Sequence, residues 1–206
     1  SETQKTAIQS SFDSNFSVIT GGPGVGKTTI IKGLVRTLKE AKINFALCAP
    51  TGRAAKRISE TPGLSDLGPS TIHMFLAKEK ASRSSSEFDV MIVDEASMID
   101  MAMFAKFLQA VDPSKRVIML GDKNQLASVE AGSLFGDLCS SVSETNKLTS
   151  RRVNLINKLI IREEAKISND YIMASSSDML FEHVIELKKS HRFGELFPGV
   201  SVDFQW

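Results

Sequence analysis

Residues Gly21 to Thr28 read GGPGVGKT, the order G-x-x-x-x-G-K-[ST], between an apolar run and a helical pattern. Glycines at these positions let backbone N–H groups turn toward a phosphate. Lys27 then reaches the β and γ oxygens of a nucleoside triphosphate, and the Thr28 hydroxyl can ligate Mg2+ at a helix start. The candidate phosphate cradle is Gly21, Gly22, Pro23, Gly24, Val25, Gly26, Lys27, Thr28 and Thr29. Two adjacent acids, Asp94 and Glu95, close a second apolar run in MIVDEAS. Carboxylates at a strand end suit a division of tasks, with Asp94 holding Mg2+ through its water shell and Glu95 polarising the attacking water. Taken alone, the pair also fits two capping acids before a helix at Ser97. In a third segment, LGDKNQLASVEAG, Asp122 and Gln125 follow another apolar run. Gln125 carries both donors and an acceptor, so it suits a bridge to the γ-phosphate or lytic water, and equally a bond to loop backbone.

The elements that must position these residues are legible as hydrophobic runs. FSVIT at 16–20, INFALCA at 43–49, DVMIVDE at 89–95 and RVIMLGD at 116–122 are short and apolar, as strands buried on both faces are. Segments of helical period lie between them, so the pattern predicts an α/β fold. Its sheet is mostly parallel, with helices on both faces and ligands at the carboxyl ends of the strands. One helix is expected over 27–42, with Ile30, Ile31, Leu34, Val35 and Leu38 as its buried stripe. A second begins near Gly52, turning Ala54, Ala55 and Ile58 inward and leaving Arg53, Lys56 and Arg57 on an exposed face. A third is expected from Ser97, with Met98, Met101, Phe104, Phe107 and Leu108 as core. Residues 80–87 read as a solvent loop, 141–180 as polar and largely helical, and FPGVSVDFQW at 197–206 as a half-buried strand.

Composition bounds the chemistry. The 206 residues include 25 Lys and Arg against 24 Asp and Glu, a net charge of +1, which excludes a bulk electrostatic binder of nucleic acid. Any nucleic-acid role must use local placement of charge. At 42% hydrophobic and 24% charged, the chain can bury a sizeable core. The two cysteines, Cys48 and Cys139, lack metal-ligand spacing and argue against a disulfide framework. No apolar stretch approaches the roughly 20 residues that span a bilayer, and SETQKTAIQSSF lacks the order of a secretory signal, so the expectation is no membrane and a cytoplasmic location.

Further segments complete an ordered set: APTGRAAKR at 49–57, TIH at 71–73, VDEASMID at 93–100, GDKNQLASVEAGSLFGDL at 121–138 and KSHRF at 189–193. With the glycine loop, the set resembles the motifs of superfamily 1 helicases. More narrowly, GGPGVGKTT, VDEASMID and GDKNQLASVEAG followed by SLFGDLC resemble the RecD family, the alpha subunits of exodeoxyribonuclease V. The resemblance is close over residues 4–140 and loose over 141–188.

The resemblance implies a RecA-like P-loop NTPase domain that uses ATP and Mg2+. It further implies a 5′ to 3′ DNA helicase or translocase of double-strand break repair and recombination. Its partners would be single-stranded DNA and the beta and gamma subunits of exodeoxyribonuclease V. Gln4 matches the glutamine that reads adenine, Gln125 the γ-phosphate sensor, and Arg192 an arginine reaching the γ-phosphate from a second motor domain. Thr51, Thr71, His73, Ser128 and Val129 fall in segments lining the single-strand path. Outside the ordered set, Gln4 would read as surface, His73 as a helix-start residue and Arg192 as a salt-bridge partner. Thr51 and Gly52 open a helix whose amides favour a phosphate, with Arg53, Lys56 and Arg57 adding positive charge nearby.

The implied division is a motor domain at 1–140, a helical segment and connection at 141–188, and a fragment of the second motor domain at 189–206. Residues 193–206 match no further motif. An arginine finger contributes roughly 10³ to 10⁵ in rate, so weak hydrolysis and no unwinding are expected of this chain alone. Two other readings stand beside the motor. One is a nucleotide-dependent module that binds DNA or a partner without productive hydrolysis; the other is a small-molecule kinase.

Overall fold

The structure, a computed structural model of the chain, describes residues 2–81, 87–125, 134–160, 163 and 166–188. Six strands form one all-parallel sheet: β1 (Phe16–Gly21), β2 (Phe45–Ala49), β3 (Ser70–Thr71), β4 (Val90–Val93), β5 (Arg116–Gly121) and β6 (Val184–Leu187). Their order across the sheet is β3-β2-β4-β5-β1-β6. The helices are α1 (Glu2–Phe12), α2 (Lys27–Glu40), α3 (Gly52–Ser59), α4 (Ile72–Ala81), α5 (Met101–Ala110), α6 (Leu134–Ser140) and α7 (Ser150–Leu159). The four apolar runs of the sequence are β1, β2, β4 and β5, which confirms the α/β reading.

Alternation along each strand divides the core in two. Ile19, Ile92, Ile118 and Ile185 face one layer, where they meet Ile30, Ile31, Leu34 and Leu38 of α2. Val18, Met91, Val117, Met119 and Val184 face the other, against Phe104 and Phe107 of α5 and Phe135 of α6. Side chains of this size each contribute about 1.5–3 kcal/mol when fully buried. The sheet is therefore rigid where its carboxyl ends emerge.

The expected stripe of α2 is buried in full. The helix stops at Glu40, because Lys42 turns to a left-handed backbone at φ 55°. The stripe expected from Ser97 is corrected by the structure. Phe104 and Phe107 are buried, but Met98, Met101 and Leu108 are 46%, 54% and 46% exposed. Residues Ala96–Met98 form a separate 3-10 turn, and α5 starts afresh at Met101, where the Asp100 carboxylate accepts from the Met103 N–H at 2.7 Å. The break resets the helical phase, so of the expected stripe only Phe104 and Phe107 are buried.

Residues 141–188 also differ from the expected helical connection. After α7 the chain returns to the sheet as β6, which pairs with β1 from Val18↔Val184 to Gly21↔Leu187. Glu186 interrupts the apolar run HVIEL, which hid an edge strand from the hydrophobic pattern. A small satellite core of Leu148, Val153, Ile156 and Ile167 supports α7. Arg152 locks it to the domain, donating to the Asp13 carboxylate at 3.1 Å and to the carbonyls of Ser10 at 3.0 Å and Glu182 at 2.7 Å. Most of the loop at 80–87 and the strand expected at 197–206 lie outside the described residues.

Candidate nucleotide-binding site

Strands β4, β5 and β1 are neighbours, so the three segments singled out in the sequence emerge side by side. β1 ends at Gly21, and the turn into α2 uses left-handed backbone at Gly24 (φ 80°) and Gly26 (φ 94°). The Gly26 carbonyl accepts the first helical bond, from the Ile30 N–H at 3.1 Å. The Lys27 ammonium donates to the Gly21 carbonyl at 2.5 Å and the Gly22 carbonyl at 3.3 Å, so it stands at the mouth of the turn. Burial lowers its pKa from the ordinary value, and the charges of Asp122, Glu95 and Asp94 oppose that shift. Thr28 lies beside it, half-buried.

The acid pair follows β4. The Asp94 N–H donates to the Cys48 carbonyl at 3.0 Å, extending the ladder with β2 by one residue. Its buried carboxylate accepts from the Glu95 N–H at 2.9 Å. Burial pushes the Asp94 carboxyl above the usual range, and the neighbouring Glu95 adds to that. Glu95 itself sits at φ 53°, a left-handed backbone rare for a non-glycine residue. The Arg57 guanidinium of α3 lies 3.0 Å from its carboxylate.

Beyond β5, the Lys123 N–H donates to the Thr20 hydroxyl at 3.1 Å, tying this loop to β1. Ser97, buried in the turn after the acids, donates its hydroxyl to the Gln125 side-chain oxygen at 2.8 Å. Ser97 therefore joins the β4 and β5 loops. The sequence pattern marks Ser97 only as a helix start. Its signal is a lone small hydroxyl three residues after Asp94, and the partner is 28 residues away in the chain. Arg57, expected on an exposed face as charge near a strand phosphate, lies instead at the acid pair.

Gln4 arrives from a helix that the sequence reading did not anticipate. α1 lies against α2 at Gly33, where an added Cβ would come within 2.5 Å of Ile8. That close approach lets the Gln4 amide donate to the Val25 carbonyl at 3.0 Å. Gln4, Gly22, Pro23, Gly24, Gly26, Lys27, Thr28, Thr29, Arg57, Glu95, Asp122 and Gln125 line a single cavity of about 1100 Å³. Gly21 and Val25 sit behind it, the first ending β1 and the second packed in the core. Asp94, next in the chain to Glu95, is buried and does not itself line the cavity.

The donor set bears on a metal. Among the described residues, no group of three or more His, Cys, Asp or Glu could enclose one. A hydroxyl and a carboxylate beside a phosphate cradle suit Mg2+ instead, since that ion keeps waters and binds through one or two protein ligands plus substrate phosphates. Thr28, in the cavity lining, and the Asp94 carboxylate, near enough for its charge to act on Lys27, supply such a pair.

The residues expected on DNA occupy another edge. β2 and β3 pair through Cys48↔Ser70 and Ala49↔Thr71, so the segments after them emerge together. The Thr51 hydroxyl accepts from the Ala54 N–H at 3.2 Å, and the Thr71 hydroxyl from the Met74 N–H at 3.1 Å. Each hydroxyl keeps its own proton for another acceptor. Gly52, Arg53 and His73 are exposed beside them. Ser128, Val129 and Arg192 lie outside the described residues.

A glycine turn from a central parallel strand into a helix, with acids on the neighbouring strand ends, defines a RecA-like P-loop NTPase domain. The sequence profile of the AAA domain family matches residues 1–164, and the chain belongs to that family. Among curated proteins, it is 39% identical to the RecBCD enzyme subunit RecD of Haemophilus influenzae over 68% of this chain and 26% of that one. It is 31% identical to RecBCD enzyme subunit RecD of Mycolicibacterium smegmatis over 94% of this chain and 33% of that one. The ATP-dependent RecD2 DNA helicase of Deinococcus radiodurans is 36% identical over 64% of this chain and 19% of its own length. The RecD resemblance seen in the motifs is thus matched over most of the chain. The chain spans about a quarter to a third of the length of the two RecD relatives. Among the described residues, no helix is long and apolar enough to cross a membrane.

Proposed function

We propose that this chain carries the ATP-hydrolysing site of a RecD-type DNA helicase or translocase. It would move 5′ to 3′ on single-stranded DNA in the cytoplasm. Beta and gamma subunits of exodeoxyribonuclease V are its proposed partners, in double-strand break repair and recombination. One observation carries this reading: Lys27, Thr28, Glu95 and Gln125 line one cavity at the ends of three adjacent parallel strands, with the buried Asp94 carboxylate bonded to the Glu95 N–H. The names of the RecD and RecD2 relatives supply the substrate class.

In this reading Gln4 selects the base, the Gly21 to Thr29 segment cradles the phosphates, and Lys27 exchanges its carbonyl partners for phosphate oxygens. Thr28 and Asp94 would hold Mg2+, which neutralises charge on the phosphates. Glu95 accepts a proton from the attacking water. Gln125, steadied by Ser97, senses the γ-phosphate or orients that water. Arg192 is the proposed arginine from the second motor domain. Thr51, Gly52, Arg53, Thr71 and His73 grip the strand backbone, with Ser128 and Val129 assigned to the same path. Hydroxyls, helix-start amides and one arginine suit a motor that must tolerate every sequence.

The test is ATP hydrolysis by the full chain with and without single-stranded DNA. Lys27→Ala is expected to abolish the DNA-stimulated rate; an intact rate would place the motor site elsewhere. The engagement of Glu95 by Arg57 favours a second reading, a nucleotide-dependent binding module without productive turnover. Nucleotide affinity measured apart from turnover separates the two, since the module binds ATP and does not hydrolyse it.

A further inference from the structure

The edge of a sheet offers backbone N–H and C=O groups to another chain, and the two edges of this sheet are treated differently. At β6 the outward groups are sealed. The Asn146 side chain accepts from the Glu186 N–H at 2.7 Å and donates to the Glu186 carbonyl at 2.9 Å, while the Asn146 N–H donates to the Val184 carbonyl at 3.2 Å. One residue thus stands in for a further strand.

The opposite edge has no such cover along its length. The carbonyls of Asn44 and Cys48 accept from the β4 side, from the Val90 N–H at 3.2 Å and the Asp94 N–H at 3.0 Å. Successive residues of a strand point their backbone groups to opposite neighbours, so those of Phe45 are turned outward. β3 meets this edge only at Cys48↔Ser70 and Ala49↔Thr71. Its chain arrives through a left-handed turn at Gly68 (φ 59°) and then Pro69, which has no N–H to extend the pairing. Among the described residues, no strand covers Phe45 on this side.

That stretch of edge opens into a groove of about 1070 Å³. Phe45 and Leu67 wall it from one layer of the core, and α4 supplies Phe75 and the 64% exposed Met74 from the other. Lys39, Lys42 and Lys78 also line it, exposed and without ion-pair partners among the described residues, against Glu79 and Glu87. Lys39 and Lys42 flank the turn from α2 into β2. Lys78 lies near the end of α4, whose chain leads to the start of β4 beside Phe45. The basic charge therefore gathers at the end of the groove where β2 begins.

We propose that this edge is a docking site for an extended segment of a partner protein, an apolar strand carrying acidic residues at the end that lies over Lys39, Lys42 and Lys78. The segment adds a strand beside β2, bonding the outward groups of Phe45 and setting alternate side chains against the two walls. The unpaired edge calls for a strand, and the unpaired lysines call for its acids. The groove shares no lining residue with the nucleotide cavity, so this inference stands apart from the motor reading.

The experiment follows fluorescence anisotropy of a fluorescein-labelled peptide, an acidic triplet followed by Val-Thr-Val-Ile-Val, titrated with the full chain. Saturable binding is expected. Two counterparts methylated at alternate backbone nitrogens, one in each register, should differ by at least about tenfold, because only one edge of the peptide pairs. The Lys42→Glu, Lys78→Glu double variant is expected to weaken binding about tenfold while ADP binding, measured alongside, is unchanged. Phe45→Pro removes the outward N–H and should abolish binding; where circular dichroism shows that it does not fold, the methylated peptides and the lysine variant decide. No saturation up to about 1 mM overturns the proposal, as does an equal effect of the two methylated peptides or full affinity in the lysine variant. Displacement of the peptide by oligo-dT would make the lysines phosphate contacts, and a dimer of the free chain that the peptide dissociates would make a second copy the occupant; either result overturns it.

Discussion

Gly26 is where the backbone of the glycine loop meets the helix that supports it, and replacing it with alanine tests that junction. At φ 94° an L side chain is strained, and a Cβ at this position would stand 2.2 Å from the Gln4 amide nitrogen. Left-handed backbone costs an L-residue roughly 1–2 kcal/mol. The Gln4 amide is the end of a flexible side chain, so it moves aside and surrenders its bond to the Val25 carbonyl, worth about 0.5–1.5 kcal/mol. The sum is about 1.5–3.5 kcal/mol. In a domain of this size that lowers the melting temperature by roughly 3–14 °C.

Circular dichroism melts of Gly26→Ala, Gln4→Ala and the double variant apportion the two terms. Gln4→Ala alone is expected to lose only the bond energy. The double variant should be less destabilised than the two singles added together, because truncating Gln4 removes the obstacle to the new Cβ. Gly22→Ala is the control, since a Cβ there meets nothing within 4 Å and needs no left-handed backbone. A Gly26→Ala melt within a degree of the native chain would refute the reasoning, as would a Gly22→Ala loss of equal size. A fluorescent ADP titration on the same proteins is expected to show at least about tenfold weaker binding by Gly26→Ala, the equivalent of 1.4 kcal/mol.

Two further predictions concern the return of the chain to the sheet. Arg152→Met removes three hydrogen bonds and leaves Asp13 and two carbonyls short of a partner, so denaturant unfolding should show a loss of about 2–4 kcal/mol. Glu186→Gln tests a pH-dependent term. Burial pushes the Glu186 carboxyl up, but the hydrogen bond and charge of Lys123 outweigh it and hold the pKa below its ordinary 4.5. A depressed folded pKa stabilises above the unfolded value, and that contribution is lost as pH falls through the folded one. Native and Glu186→Gln should therefore differ by at most about 1 kcal/mol near pH 7 and converge below pH ~4 in urea titrations; a difference that persists in acid would contradict this origin.

The phosphate loop and the acid pair were legible because their chemistry depends on local order. Glycines, lysine and threonine must be contiguous, and the acids must end an apolar run. The four central strands were legible for a related reason: burial on both faces leaves few polar interruptions, small ones such as Ser17 and Thr20 of β1. β6 was not, since an edge strand tolerates Glu186 on a partly open face. α1 escaped because its buried face is built from Thr6, Ala7, Ser10 and Ser11, small residues that allow close packing but carry little hydrophobic signal. The same holds for Ser97 and Arg57. Each gains its place from a partner in another loop, and neither spacing nor residue type encodes that partner. Met98 and Met101 failed in the opposite sense, because apolar type suggested burial while the Asp100 cap set the helix phase against it.

These differences separate two kinds of constraint at the candidate site. Its frame is backbone: the Asp94 bond to Cys48, the left-handed turns at Gly26 and Glu95, and the tie from Lys123 to Thr20 stand on a sheet packed from both sides. Its movable parts are side chains that already have partners within the protein. Lys27 donates to the loop carbonyls, Gln4 to Val25, and Glu95 pairs with Arg57. Entry of a nucleotide would exchange those partners without reorganising the frame. Each exchange forgoes an existing bond, so net affinity is lower than the sum of new contacts, but no half-buried charge is left unpaired between cycles. That compromise suits a site that must bind and release repeatedly, and it makes the partner of each side chain a control point.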